Sequence, residues 1–79
     1  MQEEYYSQAR FKGDFLKNKM LEGIEFESCL FDTCQLSGLQ LKEVKFENCE
    51  FKNCDLSNAK IHNTAFQEVL FKDCKMMGL

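Results

Sequence analysis

From Phe11 onward a large apolar residue returns at every fifth position, through Leu16, Leu21, Phe26, Phe31, Leu36, Leu41, Phe46, Phe51, Leu56, Ile61, Phe66 and Phe71 to Met76. Seven of the chain's eight Phe residues stand in this column. At 44% hydrophobic content so long an unbroken run arises by chance with a probability on the order of 10⁻⁵. A five-residue period suits neither regular element. On an α-helix each step of five turns the side chain by about 140° net, which scatters the column round every face. On a flat strand an odd step puts successive side chains on opposite faces. The column points one way only if the backbone turns a corner every five residues, which predicts short strands joined by corners in a solenoid.

Two further columns fit that reading. Two residues before the large apolar one stand Ile24, Cys29, Cys34, Leu39, Val44, Cys49, Cys54, Ala59, Thr64, Val69, Cys74 and Leu79, which include all five cysteines. Two residues after it run Gly13, Asn18, Gly23, Ser28, Thr33, Gly38, Glu43 and so on to Gly78, a column that holds all four Gly and all five Asn. Those are the residues that accept positive φ or make side-chain turns. Each pentapeptide therefore carries a small inward residue, a large inward residue and a corner residue.

The large column spells Phe-Leu-Leu-Phe and returns to the same order after every fourth pentapeptide. Like packs on like in a stacked solenoid, so one coil is four pentapeptides and its cross-section is four-sided. Phe11, Phe31, Phe51 and Phe71 are expected to form one ladder, and Phe26, Phe46 and Phe66 another. With coils stacked at about 4.8 Å, about four coils make a rod of only about 15–20 Å.

The units Cys49-Glu50-Phe51-Lys52-Asn53, Cys54-Asp55-Leu56-Ser57-Asn58 and Ala59-Lys60-Ile61-His62-Asn63 resemble the motif of the pentapeptide repeat family. The resemblance runs without a break over residues 24–79 and implies that family's fold, an all-β right-handed quadrilateral β-helix. Residues 1–23 fit less well and are read as an irregular N-terminal coil or cap on the same single domain. There Asp14 and Lys19 fall at inward positions, and Phe15 and Met20 duplicate the apolar residue.

Composition narrows the function. A chain of 79 residues is marginal on its own and calls for a staple, a partner or a repetitive architecture. Its 10 basic and 13 acidic residues give a net charge of -3, which argues against direct nucleic-acid binding through the phosphate backbone. No apolar run approaches a membrane span, and the start MQEEYYSQAR has no apolar signal core. The expectation is a cytoplasmic protein with reduced thiols. No phosphate-binding loop, nucleophile motif or cofactor motif is present, so neither a cofactor nor an enzymatic activity is expected.

Cysteines spaced by five do not match the spacing of a zinc pair. Cys34, Cys54 and Cys74 should share one column and Cys29 and Cys49 the next, as small core residues, or as thiols open to a strained disulfide or a metal contact on oxidation. His62, the only histidine, is expected outside, above Lys42 and Glu22. The face around Phe26, Phe46 and Phe66 carries Glu25, Glu27, Glu47 and Glu68 against Lys45, whereas the face around Phe31 and Phe51 carries Arg10, Lys12, Lys52 and Lys72 against Asp32, Glu50 and Asp73. The sequence ends halfway round a coil with Phe71, Met76 and Leu79 facing inward. Either the rod continues beyond these residues, or this end packs on a partner, most simply a second copy in a homodimer.

Two functions remain. The resemblance extends to the quinolone-resistance type of pentapeptide repeat protein, which implies a DNA mimic that binds DNA gyrase or topoisomerase IV through an acidic face, here Glu25, Glu27, Glu47 and Glu68. This chain is shorter than those proteins and lacks their projecting loops. The alternative is a self-associating scaffold or a segment of a larger repeat assembly, with Phe71, Met76 and Leu79 as the contact.

Overall fold

Every fifth residue from Gln8 to Gly78 has a positive φ, and this recurrence bends the backbone into a solenoid. The computed structural model of the chain describes residues 4–78. The positive-φ residues are those of the corner column, joined by Gln8 one step earlier. Eleven of them are not glycine, and their φ values lie between 48° and 61°. Between corners the chain has room for short strands only. These are β1 (Tyr5–Ser7), β2 (Arg10–Gly13), β3 (Met20–Glu22), β4 (Glu25–Glu27), β5 (Leu30–Cys34), β6 (Gln40–Lys42), β7 (Lys45–Glu47), β8 (Glu50–Lys52), β9 (Lys60–His62), β10 (Ala65–Gln67) and β11 (Leu70–Lys72). No helix occurs among the described residues.

The strands stack in three parallel sheets, ordered β1-β4-β7-β10, β11-β8-β5-β2 and β3-β6-β9. Single bridges from Gln35 to Asp55 and from Asp55 to Lys75 mark the fourth side. Partners lie four pentapeptides apart, as in Phe26 with Phe46 and Leu21 with Leu41. The exception is β2, where Gly13 pairs with Cys34 and the register slips. Three turns of the chain separate β1 from β10.

Inside, Tyr6, Phe26, Phe46 and Phe66 stack with ring centroids 5.5, 5.0 and 5.1 Å apart. Phe11, Phe31, Phe51 and Phe71 stack at 4.9, 4.5 and 5.1 Å. The two ladders meet edge to face, as Phe46 and Phe51 do at 5.3 Å and 66°. Both geometries suit the ring quadrupole. Leu16, Leu36 and Leu56 fill a third corner of the core and Leu21 and Leu41 a fourth. Among the described residues no polar or charged one is buried.

The first coil departs from the sequence reading in two ways. Tyr6 continues the Phe26 ladder downward, so the aromatic column begins one step before Phe11. Asp14 and Lys19, expected inside, are exposed: no layer lies beneath them among the described residues, and a buried, unpaired charge would be costly. The two duplicated apolar residues also face outward, with Phe15 44% and Met20 61% exposed, while Leu16 and Leu21 take the interior.

Candidate interaction surfaces

The apolar columns that close the core in the middle coils lie open at the C-terminal end. Leu36 and Leu41 are buried at 1% and 3% exposure, yet Met76 and Ile61 in the last coil are 40% and 42% exposed. Between them is a bowl of about 290 Å³, floored by Phe46, Phe51, Leu41 and Leu56 and rimmed by Ile61, Phe66, Phe71 and Met76. Phe71 and Met76 thus line the same bowl. Leu79 lies outside the described residues. Leu70 and Met77, at 57% and 75% exposure, add apolar surface to the same coil. The other end is different. There the outward-turned Phe15 leans against Phe11 at 6.1 Å.

The acidic residues occupy the β1-β4-β7-β10 sheet in two outward rows. Glu27 and Glu47 are register partners in one row. Tyr5 and Ser7 each donate a hydroxyl hydrogen bond of 3.1 Å to Glu27 Oε1. Glu25 stands in the other row as the partner of Lys45, and Lys45 Nζ reaches Glu47 Oε2 at 3.5 Å. Glu68 sits beyond this sheet, on a corner with φ of 53°. Three of the four carboxylates therefore share one sheet, with a lysine set among them, and the fourth lies on the corner beside it.

The neighbouring sheet is paired in the opposite sense. Arg10 lies 3.6 Å from Asp32, and the Thr33 hydroxyl donates to Asp32 Oδ1 at 2.9 Å. That hydrogen bond, aided by Lys52 and Arg10, holds the Asp32 carboxyl below its ordinary range. Asp55 is held down by the Ser57 hydroxyl and backbone N–H. On the third sheet Glu22, Lys42 and His62 share a row, as the four-pentapeptide period requires, and Lys42 Nζ lies 3.9 Å from Glu22.

All five cysteines are free thiols, four of them buried and Cys74 half-buried. Each thiol donates to the backbone carbonyl of the aromatic residue one coil below. Cys54 reaches Phe31 at 3.1 Å and Cys74 reaches Phe51 at 3.2 Å. Sequence reasoning had the columns but missed this bond, which a core residue without a donor cannot make. Contact with the Cys34 thiol holds Cys54 down to about 7, and the same contact, with burial, pushes Cys34 up. Burial also raises Cys49 and Cys74. Among the described residues no group of three or more His, Cys, Asp or Glu is placed to hold a metal ion, and no helix is long and apolar enough to cross a membrane.

The family model described as pentapeptide repeat region matches residues 24–79. No curated protein matches the chain.

Proposed function

The chain belongs to the pentapeptide repeat family, and from that premise we propose that it is a non-catalytic binding module that works through the open end of its solenoid, where it pairs with a second copy of itself. The apolar bowl rimmed by Ile61, Phe66, Phe71 and Met76 carries this reading. Aromatic and aliphatic side chains that are sealed in every inner coil are left wet in the last described one. Covering a large apolar side chain is worth about 1.5–3 kcal/mol, and a copy turned end to end presents the same residues in return. The assembled rod is a scaffold about twice as long as one chain.

Sedimentation equilibrium over a range of concentrations tests the proposal. The chain is expected to dimerise, and Met76→Asp to shift the equilibrium at least about tenfold toward monomer, the equivalent of roughly 1.4 kcal/mol. A wild-type chain that stays monomeric at every concentration overturns it.

A second reading has its own support in Glu27 and Glu47, stacked in one outward row. It gives the acidic side to a partner with a basic, DNA-binding surface such as DNA gyrase or topoisomerase IV. The molecule measures 26 × 22 × 21 Å, short of the roughly 34 Å of one DNA turn, so this reading also draws on the end-to-end pair for length. Lys45 weighs against it by neutralising part of the row. The double change Glu27→Lys with Glu47→Lys should abolish inhibition of gyrase supercoiling while leaving self-association intact. If the native chain does not inhibit gyrase, or the doubly reversed chain inhibits it equally well, the acidic side has no such role.

A further inference from the structure

We propose that Cys54 and Cys74 are a disulfide-forming pair that staples the last coil to the one beneath it. The two residues stand one above the other, bracketed by the register pair Lys52 with Lys72 and the bridge Asp55 to Lys75. Strands so paired lie about 4.8 Å apart, inside the roughly 4.4–6.8 Å between Cα atoms that a disulfide spans. Both thiols face the same way, each donating to the carbonyl of the phenylalanine one coil below.

Two other stacked pairings are available, and the structure separates them from this one. Cys34 with Cys54 and Cys29 with Cys49 join thiols exposed at 2% or less, in coils held by neighbours on both sides. Neither of these pairs offers a small oxidant a thiol it can reach. Cys74 is half-buried, the one thiol of the five that is not fully buried, so a small oxidant can reach it. Contact with the Cys34 thiol lowers the pKa of Cys54 beneath it, which favours its ionisation for the second step of the exchange.

The oxidant is a low-molecular-weight disulfide. Cys74 Sγ attacks one of its sulfurs, forming a mixed disulfide; the small disulfide's S–S bond breaks, and one small thiol leaves with the Cys74 proton. Cys54 Sγ then attacks Cys74 Sγ, the mixed bond breaks, and a second small thiol leaves with the Cys54 proton. The protein loses two protons and two electrons, and the oxidant gains both. The weak hydrogen bonds to Phe31 and Phe51 are given up in exchange.

The intact chain, incubated with oxidised glutathione at neutral pH and alkylated, is read by mass and by tryptic mapping without reduction. The expected product carries two fewer alkyl groups than the reduced chain, with the peptides Asn53–Lys60 and Asp73–Lys75 joined and a higher melting temperature. Cys34→Ala should keep that link and Cys74→Ala should lose it. An unchanged mass, a mixed disulfide that persists, a link into the peptide that holds Cys29 and Cys34, or a bond between two chains each overturns the pairing. The map of the unaltered chain decides the matter even where an alanine variant fails to fold.

Discussion

At Thr33 a β-branched residue holds φ of 54°, in a region that costs an ordinary L-residue about 1–2 kcal/mol. Corner geometry is common to every pentapeptide, but the residues that occupy it differ in how well they tolerate it. Asn48, Asn53, Asn58 and Asn63 fit with little strain, whereas Thr33 and Glu43 do not. Thr33→Asn should therefore stabilise the fold by up to about 1 kcal/mol in urea unfolding, and a loss of stability would contradict this account of the corners. Gly38 makes the converse case. A Cβ built there would strike the Asn18 side chain, which reaches up from the coil below, while a Cβ at Gly23 meets nothing within 4 Å. Both glycines have positive φ, so Gly23→Ala should lose about 1 kcal/mol from backbone conformation alone. Gly38→Ala should lose up to about 1 kcal/mol more, since the Asn18 side chain must swing aside, and Asn18→Gly in the same chain should recover most of that extra loss. The corner column was legible because a residue type that accepts positive φ recurs there. The clash at Gly38 was not legible, since it depends on the side-chain path of a residue one full coil earlier in the chain.

At the scale of the strand, stability comes from position in the stack more than from residue type. Phe46 has ring partners above and below, in Phe66 and Phe26, and is 1% exposed. Among the described residues Phe66 has a stacked partner only below, and it is half-buried. Phe46→Ala is expected to cost about 3–5 kcal/mol. Phe66→Ala should cost about half as much, measured where the chain is dilute enough to be monomeric. Equal losses would mean that the ladder is not the unit of stability. Pattern reading identified these ladders and their spacing of four pentapeptides, because apolar identity repeats in the large column. It placed the start at Phe11 and missed Tyr6, since a tyrosine beside Tyr5 and Ser7 reads as polar. It also left Phe15 and Met20 without a place. Each sits one position before a true column residue, and its side chain turns outward while Leu16 and Leu21 take the interior. The slipped register at Gly13 belongs to the same coil and has no counterpart in the later ones.

For the molecule as a whole, the two ends are unlike and the sides are nearly balanced. The candidate end contact was visible in the sequence as apolar residues in the final half-coil, and the structure adds the bowl that Phe71 and Met76 help to rim. The acidic side was legible as a count of charges but not as an arrangement. Assigning residues to rows puts Lys45 beside Glu25 and in contact with Glu47, and moves Glu68 off the sheet to a corner. A count over a face hides this, because neighbours in a row are a whole coil apart in the chain.

One translation of four pentapeptides carries each layer onto the next, and the length of such a molecule is consequently quantised. Removing one whole coil leaves every ring over a ring and every corner over a corner, and gives a shorter rod of the same kind. Removing a single pentapeptide keeps the apolar period intact but rotates everything after it by one side, setting leucines over phenylalanines and one charged row over another. Insertions and deletions are thus tolerated in steps of a full turn, and the repeat that looks like five to the eye is twenty to the fold.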